Sequence, residues 1–183
     1  MADNDGFLTI NNDNRREFSR VGAYIPFSYR IVTEAEVDHM KSRTVSDSFT
    51  MDFPIMPSLE DQIYGEWLKL INAKLDEIIR MMTLQREGFS TLPFKKINIS
   101  GNGLSFFSME SLSKGTFIEA KVVLTIINAS ALILYGEVVK VESLGNGFNI
   151  GVRFINIDDM LRNEIIRFVF EREREMIREK RGS

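Results

Sequence analysis

The sequence predicts a mainly β protein with helices: a small antiparallel β-barrel that carries one long inserted helix and a second helix at its C-terminal end. Three observations lead there. From residue 94 onward, apolar residues alternate in short runs separated by turn chemistry, the mark of half-buried strands. Between 59 and 86 the apolar spacing is helical and nothing interrupts it. From 158 to 180 it is helical again, with one apolar face.

The first strand is read at Tyr24–Val32, inside a run from Val21 that is dense in aromatic and β-branched residues. Pro26 lacks a backbone donor, which places the start of that strand at an edge or bulge. Residues 33–57 are the least patterned. Glu34 to Arg43 reads as a short helix with Thr33 as its cap, and Phe49 to Phe53 alternates like a brief strand before Pro54 and Pro57.

The long helix follows, with Ser58 as cap, Asp61 at the third helical position and an end near Gly88. Tyr64, Leu68, Ile71, Leu75, Ile78 and Met82 fall at alternating gaps of four and three, a heptad seam. Leu59, Ile63, Trp67, Leu70 and Ile79 make a second apolar row beside it. Two partners stand open for this surface: the chain's own barrel, or the same helix in other copies. The second row makes the stripe wider than one neighbour covers.

Strands are then expected at Phe94–Ile99, Leu104–Phe107, Thr116–Ile127, Ala131–Val141 and Phe148–Ile155. Ser113-Lys114-Gly115, Asn128-Ala129 and Gly145-Asn146-Gly147 supply turns between them. With the first strand these suffice for a closed barrel, which leaves no exposed edges. Asp158-Asp159 opens the last helix, and Leu161, Ile165, Phe168 and Val169 form its apolar face. Beyond Phe170 the Glu-Arg alternation reads as a solvated extension.

Composition narrows the function. A chain of 183 residues with 44% apolar content suits one domain with an elaboration. Without cysteine there are no disulfides and no thiolate metal sites, which fits a reducing compartment. The polar, acidic first residues are unlike a secretory signal, and no apolar run reaches the roughly 18 residues of a membrane span. The expectation is a cytoplasmic protein without a membrane span. The net charge of −3 disfavours a nucleic acid polymer as partner, because phosphate neutralisation supplies most of that affinity. No catalytic set is visible. His39 is the single histidine, there is no phosphate-loop or EF-hand spacing, and Glu171, Glu173 and Glu175 read as a charged helix face. We therefore expect no enzyme, no metal and no cofactor.

Two short segments stand out. Arg15-Arg16-Glu17-Phe18-Ser19-Arg20 places Arg16 and Arg20 four apart with Arg15 adjacent, and guanidinium forks suit phosphates and the O6/N7 edge of guanine. Asn98-Ile99-Ser100-Gly101-Asn102-Gly103 offers amide, hydroxyl and bare backbone groups. Alone, the first reads as a solvated patch and the second as an ordinary turn.

Together, and in this order, they resemble the RxxxR and [D/N]xSxxG motifs of the PilZ domain family, bacterial receptors for cyclic di-GMP. The resemblance continues through Gly136-Glu137-Val138-Val139 and Gly151-Val152-Arg153-Phe154 to the closing helix. It implies a mobile arm at 1–14, a PilZ barrel with its C-terminal helix at 15–33 and 94–181, and a helical insertion at 34–93 for packing or oligomerisation. It also implies ligand contacts from Arg16, Arg20, Asn98, Ser100 and Gly103, and a further one from Arg153. In relatives an arginine at the position of Arg15 favours an intercalated pair of cyclic di-GMP molecules. Asn98 stands where many relatives have aspartate, and it presents a neutral acceptor. The inserted helix resembles a PilZ subclass that forms tetramers through it, which implies a homo-oligomer built on Tyr64, Leu68, Ile71, Leu75, Ile78 and Met82. Its downstream protein partner is not readable. The rival expectation is a PilZ-like scaffold that oligomerises through the helix without nucleotide.

Overall fold

The computed structural model describes residues 19–45, 62–125 and 129–181. In order these form β1 (Val21–Val32), α1 (Glu34–His39), β2 (Arg43–Thr44), α2 (Gln62–Arg86), β3 (Phe94–Ser100), β4 (Gly103–Ser108), β5 (Phe117–Thr125), β6 (Ala129–Leu144), β7 (Gly147–Ile155) and α3 (Asp159–Arg181). The sheet runs β2-β6-β5-β1-β3-β4-β7, and a β6–β7 pairing closes six of its strands into an antiparallel barrel. β2 sits outside that ring, against Leu132 and Ile133 of β6.

Closure depends on two long strands that each serve two neighbours. β1 pairs with β3 over Val21–Pro26 and with β5 over Phe27–Val32. The strand expected from Tyr24 begins instead at Val21, and Pro26 lies where it passes from one partner to the other, so that each half pairs on one side. A proline costs least at such a handover, where a ladder bond is being given up in any case. β6 likewise pairs with β5 through Glu137 and with β7 from Tyr135 onward, with a register shift between Val138 and Lys140. β3, β4, β6 and β7 fall at the expected places and run up to three residues longer, while β5 starts at Phe117 rather than Thr116 and is described to Thr125. Ala129, expected in a turn, is already the first residue of β6.

Alternation places Ile97, Ile99, Phe106, Ile118, Leu134 and Ile150 inside the barrel, all fully buried. α3 closes one mouth with Leu161, Ile165, Phe168 and Val169, the face expected from sequence, and these join the barrel's core. Asp158 caps α3, its carboxylate accepting from the Leu161 N–H at 2.8 Å. The far half of α3 corrects an expectation: Met176 packs against the core, so the segment beyond Phe170 is not simply solvated.

A second apolar cluster lies outside the barrel wall, where Val37, Val45 and Phe89 cover Ala131, Ile133 and Tyr135. Thr33 caps α1 as expected, in a capping box with Glu36, but the helix stops at His39 rather than reaching Arg43, which begins β2; α1 contributes Val37 to the cluster. Asn156, at φ 51°, donates to the carbonyls of Val37 and Met40 and so ties α1 to the end of β7. α1 and β2 thus pack on the barrel although they fall within the 34–93 stretch read as an insertion. The strand expected at Phe49–Phe53, Pro54, Pro57 and the cap at Ser58 lie outside the described residues.

α2 ends in a Schellman motif. Phe89 N–H donates to Leu84 O at 2.8 Å, Gly88 N–H to Gln85 O at 3.0 Å, and Gly88 has φ 75°. Phe89 anchors this end in the outer cluster. The rest of the helix leaves the barrel. Tyr64, Leu68, Ile71, Leu75, Ile78 and Met82 are all exposed, as are Trp67 and Leu70 of the second row. The barrel is therefore not the partner of this stripe.

Candidate functional site

β1 and β3 run side by side, and that pairing positions the site. Val21 faces Ile99 and Gly22 faces Asn98, so the chain just after the arginine cluster lies antiparallel to the second motif. Arg20 is exposed and enters β1 at the Ser100 end of β3. Arg15 and Arg16 lie outside the described residues.

Asn98 sits half-buried between the buried Ile97 and Ile99, on the outward face of the barrel. Its neighbours across the strands are Gly22 on β1 and Ser105 on β4, and Ser105 in turn faces Gly151 on β7. Four adjacent strands thus present a row of small side chains, a flat floor with one amide standing on it. A Cβ at Gly22 would sit 3.3 Å from Asn98 Oδ1, so that glycine leaves the amide uncrowded.

The next row holds the motif's turn. Ser100 is 2% exposed, and its hydroxyl donates to the Gly103 carbonyl at 3.1 Å, so here it shapes its own turn. Gly103 is fixed by packing: a Cβ there would collide with the Val152 carbonyl oxygen. Asn102 is held twice. Its side-chain oxygen accepts from the Arg162 guanidinium in the first turn of α3, and its carbonyl accepts from Phe154 N–H at 2.9 Å. Arg153 lies opposite Gly103 and directs its exposed side chain outward between the buried Val152 and Phe154. Its guanidinium meets Glu137 of β6 at 2.6 Å. On the other side, Ser19 Oγ donates to Glu173 of α3.

Arg20, Arg153 and Arg162 thus gather cationic groups around the turn, and Asn98, Ser105 and the glycines provide a low floor beside it. Guanidinium groups beside such a floor can donate hydrogen bonds to an anionic group. Alternation in the sequence marks these side chains as outward-facing. It does not say which strands are neighbours, so Gly22, Ser105, Gly151, Glu137 and Arg162 were not found from sequence.

A second polar cluster has a structural role. Arg30 forks onto Glu119 at 3.0 and 2.9 Å and reaches Glu36 at 3.2 Å, while the Tyr135 hydroxyl donates to Glu119 at 2.7 Å. Burial alone would raise the Glu119 carboxyl, but the Arg30 fork and the Tyr135 hydroxyl outweigh it and hold the group below the usual range. Burial and the bond to Glu119 raise the Tyr135 hydroxyl. This network fastens α1 to the wall formed by β1, β5 and β6. Two surface grooves lie elsewhere. One of about 260 Å³ sits between the base of α2 and Ser130 of β6, and one of about 720 Å³ sits between Lys41–Thr44 and the start of α3.

The protein is thus a closed six-stranded antiparallel barrel, one mouth stoppered by a C-terminal helix, with a largely buried polar turn in its wall. Residues 82–171 match the family model described as PilZ domain, and the chain carries a PilZ domain. The matched range contains Asn98, Ser100, Gly103, Glu137 and Arg153, and it begins after the arginine cluster. Among solved structures, the chain is similar to a protein of Xanthomonas campestris described as a tetrameric PilZ domain self-assembled via an unusual helical bundle. The two share 17% identity over 88% of this chain and 91% of that one, with a TM-score of 0.57. No curated protein matches the chain.

Proposed function

We propose that the protein is a cyclic di-GMP receptor of bacterial signalling, binding the nucleotide between the arginine cluster and the Asn98–Gly103 turn. Arg16 and Arg20 would fork onto phosphate and guanine groups, with Asn98 and the turn as the opposing surface. Arg15, just ahead of the motif, favours two intercalated nucleotides per site. Closure of the N-terminal arm over the ligand would then alter a surface offered to a downstream protein. The observation that carries this reading is the β1–β3 pairing, which sets Arg20 beside the second motif. PilZ domains generally bind rather than catalyse, so the protein acts as a non-enzymatic effector, in the cytoplasm. Among the described residues no helix is long and apolar enough to cross a membrane. Isothermal calorimetry with cyclic di-GMP tests the reading. We expect saturable binding with two ligands per chain, and its loss in Arg16→Ala and Arg20→Ala; unaltered binding in both variants would refute the site.

We further propose that the chain is a homo-oligomer assembled through α2. The heptad puts Leu68 and Leu75 at a positions and Ile71 and Ile78 at d positions. Leu at a with Ile at d favours assemblies of more than two helices, and apolar Trp67, Ile79 and Met81 flank the seam. A tetramer is the state we expect in light scattering, and a monomer at micromolar concentration would contradict it. Burial of the Ser100 hydroxyl in its own turn, together with the uncharged Asn98, favours one rival reading. In that reading the protein is a scaffold that uses α2 and binds no nucleotide, and a calorimetric blank with folded, oligomeric protein would establish it.

A further inference from the structure

Recognition of guanine by its Watson–Crick edge needs an acceptor for two adjacent donors, N1–H and the 2-amino group. A carboxylate does this with two charged oxygens, whereas Asn98 has one neutral carbonyl. The described residues hold a carboxylate in the same cross-strand row as the motif's turn. Ser100 pairs with Gly103, Gly103 with Arg153, and Arg153 with Glu137. At roughly 5 Å per strand, this sets Arg153 about 10 Å and Glu137 about 15 Å from Ser100 along the wall.

The pair is closely framed: Gly103 lies across from Arg153, where a Cβ would meet the Val152 carbonyl, and Gly136 precedes Glu137, where a Cβ would meet the buried Val152 side chain. Arg153 and Glu137 touch through one guanidinium nitrogen and one carboxylate oxygen, at 2.6 Å. Further donors of the fork and the second carboxylate oxygen remain for a guest. Side by side they present donors next to acceptors, the complement of guanine's O6 followed by its N1–H and 2-amino group. Glu142, also on this outward face, is instead engaged by Lys140 at 2.7 Å and by the Asn149 amide at 3.3 Å.

We propose that Glu137 is a specificity-determining residue of the nucleotide site: its carboxylate accepts from N1–H and the 2-amino group of a guanine whose O6 takes a guanidinium donor of Arg153. The inference rests on the cyclic di-GMP reading and assigns the charged acceptor that Asn98 lacks. Calorimetry with cyclic di-GMP and with its inosine analogue, which has no 2-amino group, tests it. The titrations use the full chain as wild type, Glu137→Ala and Arg20→Ala, with circular dichroism to verify folding. Wild type should prefer the guanine ligand. Glu137→Ala should weaken cyclic di-GMP about ten- to hundredfold and erase most of that preference. If wild type binds and Arg20→Ala does not, yet Glu137→Ala keeps the wild-type affinity and preference, the Glu137 assignment is overturned and the receptor reading stands. If wild type binds neither ligand, both fall together.

Discussion

Two helices of similar length, both patterned with one apolar face, meet opposite fates in this protein. In α3, Ile165 and Phe168 are 0% and 1% exposed, because the barrel mouth receives them. In α2, Leu75 and Ile78 are 50% and 48% exposed, and only the C-terminal end touches the barrel. Amphipathic spacing declares that a face will be buried without saying by what. α3's partner lies in its own chain, while α2's partner is another molecule in our reading. In that reading the two helices contribute to different equilibria: α3 to folding of the barrel, α2 to association.

Substitutions that separate those equilibria sharpen the contrast. Phe168→Ala removes a fully buried ring from the barrel's stopper and should cost about 3–5 kcal/mol in denaturant unfolding, independent of protein concentration. If it costs less than about 1 kcal/mol, α3 is not part of the folding core. Glu119→Gln probes the outer wall, where the Arg30 fork and the Tyr135 hydroxyl depend on a charged acceptor, and should cost about 1–3 kcal/mol at pH 7. The sign of its pH dependence follows from the lowered carboxyl. A glutamate ionises near pH 4.3 when unfolded and lower when folded, so its contribution is full above that value. It fades as pH falls through the folded value. The gap between wild type and Glu119→Gln should therefore narrow below about pH 4; a gap that widens in acid would contradict the assigned network. Asp158→Ala removes the cap of α3 and should cost about 1 kcal/mol. Leu75→Ala should leave the barrel's unfolding unchanged within about 0.5 kcal/mol while weakening association, read by light scattering across a dilution series.

The six barrel strands were legible because alternation, β-branched residues and turn glycines such as Gly115 and Gly145 agree at most boundaries; β2, only two residues long, carries no such pattern. The caps at Thr33 and Asp158 were legible for the same local reason. Pro26 announced an irregularity without its cause: its position reflects a strand that changes partner along its length, a tertiary fact. The candidate site was legible as two segments and the separate Arg153. Asn98 and Gly103 announce a turn, but the row that joins Gly103 through Arg153 to Glu137 exists only once strand neighbours are known. Arg162 could not be found for a similar reason: its role comes from where α3 starts relative to the β3–β4 turn. The buried Ser100 hydroxyl likewise depends on closure of that turn.

Calorimetry on three chains tests the separation of site from scaffold most directly: wild type, a Leu75→Asp/Ile78→Asp variant with α2's seam broken, and Arg20→Ala with the seam intact. The account predicts that the first two bind cyclic di-GMP and the third does not, because the site belongs to the barrel and the helix to assembly. Wild-type affinity in Arg20→Ala would contradict it.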